Sequence, residues 1–307
     1  MRYLRISKWL ILALALAGVS TGCTLFNFSR TMTPREFEFV VTSDMREFTP
    51  PQYSGTEYFR GACEAIRDVG AGAFMICPGD IDPPDRVRAT LDTVFGINYP
   101  WYPVVGNHEA ETPSDMEWLR AWASNDIPGL VRRGPPGAET TTFSFDHGKF
   151  HFVVLNQYYN GQKDTGSKGD VVDELYEWLK SDLRSNRRRE VIVIGHEPIL
   201  PTPDMDNGRL RHETDSLNAY PENSRRFHEL MLQHKVKVYL CAHTHNASIV
   251  DLEGVWQIDS GHARGKGDLG APSTFVRFLV KGRKCTVEFY RQSEINGPYR
   301  RTKVVPL

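Results

Sequence analysis

Five apolar runs in this 307-residue chain end in side chains able to hold a metal ion or move a proton. Asp44 follows the run 37–43, and Asp80 follows 73–77 through Pro78-Gly79. Asn107-His108-Glu109 follows 101–105 through Gly106. His196 follows 191–194 through Gly195, and His243-Thr244-His245 follows 236–241 through Ala242. One polar residue after a strand is unremarkable, because such residues commonly cap a helix. Five together are hard to explain by packing. Carboxylate, amide oxygen and imidazole form a ligand set for Mn, Fe, Zn or Ni, not for a sulfur-bound metal. A bridging carboxylate can hold two such ions ~3.5–4 Å apart, where they clamp an in-line displacement at phosphorus.

The elements that must position these residues are legible from periodicity. Short apolar runs read as buried strands, and the spacing Phe59, Ala62, Cys63, Ile66, Val69 reads as one helix face over 56–69. Further helices are expected at 85–95, 114–123 and 171–184, and another is expected to be capped by Ser224. The pair 141–145 and 150–155, joined at Asp146-His147-Gly148, reads as a hairpin. Residues 111–140 otherwise look irregular, and 200–221 reads as a long polar insertion. Later strands are expected at 247–251, 255–259, 273–280 and 284–290. Strands alternating with helices, followed by β-rich pieces, argue for α/β architecture with two packed sheets. Ligands bind at the carboxyl ends of strands in such sheets. No phosphate-binding glycine loop and no nucleophile elbow is present.

The first 22 residues read as a secretion signal. Arg2, Arg5 and Lys8 precede the apolar run 10–17, which is too short to span a bilayer. Small residues then lead to Cys23 and resemble a bacterial lipobox, with Ser20 where leucine is usual. The resemblance implies cleavage before Cys23, its acylation, and a lipid-anchored protein exported to the cell envelope. Residues 23–36 would be the tether, 37–291 the catalytic domain and 292–307 a C-terminal tail. Removing three basic residues from 37 leaves 34 against 38 acidic ones, a net of −4. No basic surplus points to nucleic acid, and Arg187-Arg188-Arg189 reads as a solvated helix end. Cys63, Cys77, Cys241 and Cys285 lie in apolar segments and are expected as buried thiols.

The ordered blocks Asp44, Gly79-Asp80, Gly106-Asn107-His108-Glu109, Gly195-His196 and Ala242-His243-Thr244-His245 resemble the calcineurin-like metallophosphoesterases. The resemblance implies a four-layer α/β/β/α sandwich of two mixed sheets flanked by helices. It also implies two metal ions, Mn, Fe, Zn or Ni, bridged by Asp80. Asn107, His196 and His243 match the ligands of one ion, and Asp44 and His245 those of the other. His108 matches the histidine that stabilises the transition state or protonates the leaving oxygen, and Glu109 would orient it or close the turn. The implied reaction is attack of a metal-bound hydroxide on a small phosphorylated substrate, a phosphomonoester first and a phosphodiester second. A non-catalytic, ligand-binding lipoprotein is the alternative of another class.

Arg46 departs from the pattern. The first block is usually Asp-x-His, whereas arginine cannot coordinate a metal. In the purple acid phosphatase branch that histidine is also absent, and a tyrosine three residues after the bridging aspartate compensates; here that position is Pro83. Either Arg46 faces the pocket and forks onto phosphate, or it is a surface residue and Asp82 or His262 fills the gap. His262, in Asp259-Ser260-Gly261-His262, reads first as a solvated loop residue. His147, His151, His212, His228 and His234 read as turn or surface residues.

Overall fold

The computed structural model describes residues 35–46, 55–125 and 127–307. The expected signal segment, Cys23 and the tether before residue 35 lie outside the described residues. The chain runs β1 (Glu36–Val41), α1 (Phe59–Val69), β2 (Met75–Cys77), α2 (Pro84–Phe95), β3 (Trp101–Pro103), α3 (Asn107–Glu111) and α4 (Pro113–Ser124). It continues through β4 (Leu130–Arg133), β5 (Phe143–His147), β6 (Phe150–Val154), α5 (Asp173–Ser185), β7 (Glu190–Ile194) and α6 (Pro221–Gln233). The last strands are β8 (Val238–Cys241), β9 (Ala247–Leu252), β10 (Val255–Ser260), β11 (Ser273–Lys281), β12 (Lys284–Gln292) and β13 (Arg300–Pro306).

Two mixed sheets result, in the orders β13-β12-β11-β1-β2-β3 and β4-β5-β6-β7-β8-β10-β9. β1, β2 and β3 are mutually parallel, as are β6, β7, β8 and β10. The inner faces meet in an aromatic core. Phe39 stacks on Phe278 at 4.5 Å and meets Phe152 edge-on at 5.4 Å. Phe152 in turn stacks on Phe145 at 4.8 Å. Rings of this size bury 150–250 Å² each, so this layer supplies much of the apolar burial. The outer face of the first sheet packs against α1, α2 and α4, and that of the second against α5 and α6. The architecture is therefore the α/β/β/α sandwich.

Local sequence explains most boundaries. α1 buries Phe59, Ala62, Cys63 and Ile66, and ends at Gly70, whose φ of 108° a side chain would resist. All four described cysteines are buried free thiols. Three expectations need correction. The 292–307 segment is not a simple tail, because β13 pairs with β12 through Thr286–Pro306 to Arg291–Arg300. Its apolar pattern is weak because this edge strand is almost wholly exposed. β4, inside the stretch read as irregular, forms an edge of the second sheet and is only part-buried. Ser224 does not cap α6: the helix starts at Pro221, where a missing N–H costs nothing, and Ser224 already donates its amide to Tyr220 O at 2.9 Å.

Candidate metal centre

β1, β2, β3, β7 and β8 all end at one edge of the sandwich, and their C-terminal ends deliver Asp44, Asp80, Asn107, His108, His196, His243 and His245 to one place. Asp44, Asp80, His243 and His245 adopt left-handed backbone, with φ of 50°, 54°, 72° and 59°. Such conformations cost non-glycine residues energy and concentrate at functional sites. Glycine is required beside them. A Cβ on Gly106 would lie 2.3 Å from Asp80 Oδ1, and one on Gly79 would lie 2.4 Å from His196 Nδ1.

Hydrogen-bond partners fix the protonation of two rings. His196 Nδ1 lies 2.7 Å from Pro78 O, which can only accept. Nδ1 therefore carries the hydrogen, and Nε2 presents a bare lone pair. That lone pair lies 3.4 Å from Asp80 Oδ1. His245 repeats the pattern. Nδ1 donates to Asp268 Oδ2 at 2.6 Å, and Nε2 faces Asp44 Oδ1 at 3.6 Å. With Asp80 and Asp44 ionised, lone pair faces lone pair in both places, and a cation between them relieves the repulsion. His243 Nδ1 is 3.2 Å from His196 Nε2, and Asn107 Oδ1 is 3.3 Å from the same nitrogen. Asp44, Asp80 and His245 hold ligand atoms within 4.8 Å of one another. Asp44 Oδ1 and His243 Nε2 are buried without a hydrogen-bond partner among the described residues. The donor set fits metal ions.

Electrostatics agree. Burial, then repulsion from Asp80 and Asp259, raises the Asp44 carboxyl well above its usual range. Burial, then Asp82, raises Asp80. Burial holds His196 and His245 down at about 3, and lowers His243 as well, so all three rings are neutral and able to ligate.

Glu109 closes the turn. Its carboxylate accepts from the amides of Asp80 at 3.0 Å, Ile81 at 2.7 Å and Gly106 at 2.7 Å. His108 is the most open of the group, its side chain 26% exposed, with Nε2 3.6 Å from Asp80 Oδ2. Arg46 faces the pocket. Its side chain is 16% exposed, Nε lies 3.0 Å from Asp82 Oδ1, and Nη1 donates to His108 Nε2. The surface placement for Arg46 is therefore wrong, and Asp82 serves Arg46 instead of filling a gap in the ligand set. His262 is not a solvated residue: it is fully buried, donating from Nε2 to Ala271 O at 2.9 Å and accepting at Nδ1 from the Arg264 amide at 3.3 Å. With both nitrogens used, it has no lone pair for a metal.

The sequence reading missed Asp268 and misjudged two histidines. Asp268 sits in a Gly-rich loop after β10 with no periodicity to mark it. It also accepts from Arg209 Nη1 at 3.2 Å and the Gly270 amide at 2.7 Å. His212, from the 200–221 insertion, reaches the site and lies against His243, with ring centres 4.0 Å apart and the planes tilted by 38°. Its Nδ1 meets Asp215 Oδ2 at 3.0 Å. His151 is not a surface residue but fully buried, far from the centre.

A family model described as calcineurin-like phosphoesterase matches residues 37–247. The chain belongs to that family. It is a metal-dependent phosphoesterase, a hydrolase acting on phosphoric ester bonds. Two solved structures share its fold. One is GAP50, the anchor in the inner membrane complex of Plasmodium, with 14% identity, a TM-score of 0.51, and 88% of this chain and 89% of that one covered. The other is PhoD, with 13% identity, a TM-score of 0.57, and 88% and 69% covered. No curated protein matches the sequence of this phosphoesterase.

Proposed function

We propose that this phosphoesterase hydrolyses phosphomonoesters with two metal ions bridged by Asp80. Asn107, His196 and His243 would hold one ion, and Asp44 and His245 the other. When bound, such ions activate water and neutralise phosphoryl charge. The observation that carries the monoester reading is Arg46. A monoester dianion brings more charge than a diester monoanion, and a guanidinium placed beside Asp80 and Asp82 rewards that difference. Arg46 now donates to His108 Nε2. A phosphate oxygen would compete for that donor, and losing it would let the neutral His108 ring take the tautomer with its hydrogen on Nε2, which can donate to the leaving oxygen. Burial, then Arg46, holds the His108 ring down at about 4, so it acts as a neutral hydrogen-bonding group at pH 7. Asp268 acts through His245 as a positioning residue, fixing the tautomer that leaves Nε2 free.

The protein would work in the cell envelope, anchored through an acylated Cys23 in the tether. Labelled palmitate should enter the chain, and Cys23→Ala should abolish incorporation. The enzymatic test uses p-nitrophenyl phosphate and bis-p-nitrophenyl phosphate after chelation, with Mn, Zn, Fe or Ni added back. Turnover of the monoester should exceed that of the diester. Preference for the diester would reverse the substrate assignment, and a folded protein inert with every metal would leave the non-catalytic reading.

A further inference from the structure

The end of the sandwich opposite the metal centre is basic. β1, β7 and β8 start there, and they finish at Asp44, His196 and His243. From Arg35 to Asp44 the chain spans roughly 30 Å at ~3.3 Å per extended residue. Arg35, Lys149, Arg187, Arg188, Lys281 and Lys284 are all exposed at this end. None has an acidic side chain within ion-pair distance among the described residues. They come from four separate segments: the start of β1, the β5–β6 turn, the loop before β7 and the β11–β12 turn. The segments are stitched together. The Gly282 amide donates to Arg35 O at 2.7 Å, and Lys237 Nζ donates to Arg283 O at 2.8 Å. Lys149, Arg188, Arg189 and Arg283 line one shallow depression.

Local explanations account for part of this. Arg184 lies in the last turn of α5, where the helix dipole favours a cation. Asp146 is paired with Arg189 at 2.8 Å, and Glu190 with Lys237 at 3.4 Å and with Arg283. Those pairs neutralise Asp146 and Glu190, and the six exposed cations outnumber the exposed acids left at this end, Glu36 at the start of β1 and Asp251 and Glu253 at the β9–β10 turn. A helix dipole cannot gather cations from two hairpin turns and a strand start. The chain as a whole has a formal net charge of −1, so the basic charge is segregated here instead of being general.

We propose that this end of the molecule is a docking face for a bilayer rich in anionic phospholipid, with the metal centre directed away from the membrane. Each Lys or Arg near such a surface adds about 1 kcal/mol of attraction, screened by salt. Arg35 lies within the face, and only residues 24–34 separate it from Cys23. An anchor at Cys23 would therefore hold this end against the lipid headgroups. Nucleic acid fits less well, because the face offers no exposed aromatic side chain for bases to stack on. The charge argument is independent of the catalytic reading.

The test uses the full chain carrying Cys23→Ala, so that acyl chains do not dominate binding. Its partition is titrated onto vesicles of phosphatidylcholine alone and onto phosphatidylcholine–phosphatidylglycerol mixtures, over a range of NaCl. Stronger partition onto the anionic vesicles, weakening with salt, is expected. K149E/R187E/R188E should lower that partition by at least about 150-fold, at about 1 kcal/mol for each of the three cations lost and with the new carboxylates repelled besides. Binding to neutral vesicles and p-nitrophenyl phosphate turnover should not change. K281E/K284E, on a different segment, should lower anionic partition without disturbing the 187–189 loop. Equal partition onto the two vesicle types, or an undiminished preference in both variants, would overturn the proposal. Displacement from the vesicles by duplex DNA at matched phosphate concentration would overturn the lipid assignment in favour of a general polyanion face.

Discussion

The protein buries two clusters of histidine and aspartate that share a composition and differ in everything else. In the first, His151 on β6 lies between Asp146, 2.8 Å from Nδ1, and Asp182 on α5, 2.7 Å from Nε2. Both ring nitrogens can donate, and each meets a carboxylate. In the second, His196 and His245 each spend one nitrogen on an outside acceptor and point the other at a buried carboxyl, Asp80 or Asp44. The ring is raised in the first cluster and lowered in the second. Composition does not separate a structural ion triad from a metal site. The separation comes from which donors remain unused: none around His151, against Asp44 Oδ1 and His243 Nε2 in the other cluster.

Asp80 is where breaking the contrast should have the largest effect. It is near both donor groups: Oδ1 lies 3.4 Å from His196 Nε2, and its ligand atom lies within 4.8 Å of those of Asp44 and His245. Asp80→Ala should cut turnover by more than the ~10³-fold that losing one electrostatic stabiliser costs. It should also abolish the rise in Tm that Mn or Zn gives the chelated wild type. A His151→Gln variant should keep that metal-induced rise. If Asp80→Ala still gains thermal stability from metal, the assignment of the centre fails.

Asp268→Asn should separate the two halves of the centre. The Asn amide can donate as well as accept, so it no longer fixes which tautomer His245 takes. Outer ligand supports of this kind are worth ~10–100-fold in metal affinity. Metal content measured by elemental analysis after dialysis should fall below that of the wild type, while Asp268→Glu should restore it. Unchanged stoichiometry and affinity in Asp268→Asn would remove Asp268 from the site. Arg46→Ala should have a smaller effect that depends on substrate. A charge-assisted hydrogen bond is worth about 1.5–3 kcal/mol, or ~10–150-fold. KM for the monoester should rise by about tenfold or more, that for the diester should rise less, and metal content should stay the same. Equal loss for both esters would end the argument from Arg46 to the monoester.

The sequence exposed the candidate ligand residues that the fold brings together, because strand geometry leaves a periodic signature. Each run of buried apolar residues announces where it stops, and the ligand sits at the stop. The sandwich was legible for the same reason. Asp268 and His212 were not, because they reach the centre from irregular loops whose path depends on tertiary contacts. Asp268 is held by Arg209 and the Gly270 amide, and His212 by Asp215. His262 and His151 were misread in the opposite direction. Burial of a polar ring depends on whether distant groups satisfy it, and Ala271 O and Asp182 are 9 and 31 positions away. Arg46 was legible only as a departure from a pattern. Its actual partners, Asp82 and His108, required the fold.

The smallest effect sharpens the contrast through pH. Burial pushes the His151 ring down, but the hydrogen bonds it donates to Asp146 and Asp182 outweigh it, and the folded pKa lies above the ordinary 6.5. A folded pKa above the unfolded one means that the folded state binds the proton more tightly. The stabilisation is therefore full below about pH 6.5 and is lost as pH rises through the folded value. Asp182 belongs to α5 and also accepts from Ser144 Oγ at 3.1 Å, so the triad fastens that helix to the second sheet. His151→Gln leaves two carboxylates without a cation between them, and breaking a buried pair costs about 3–5 kcal/mol. Urea unfolding of wild type and variant should show that full gap at pH 6 and a narrower one at pH 9. The gap should be the same with and without metal, since no ligand of the centre touches His151. A gap that widens with pH would mean that His151 is neutral in the fold, and the contrast between the two clusters would then fail at its structural end.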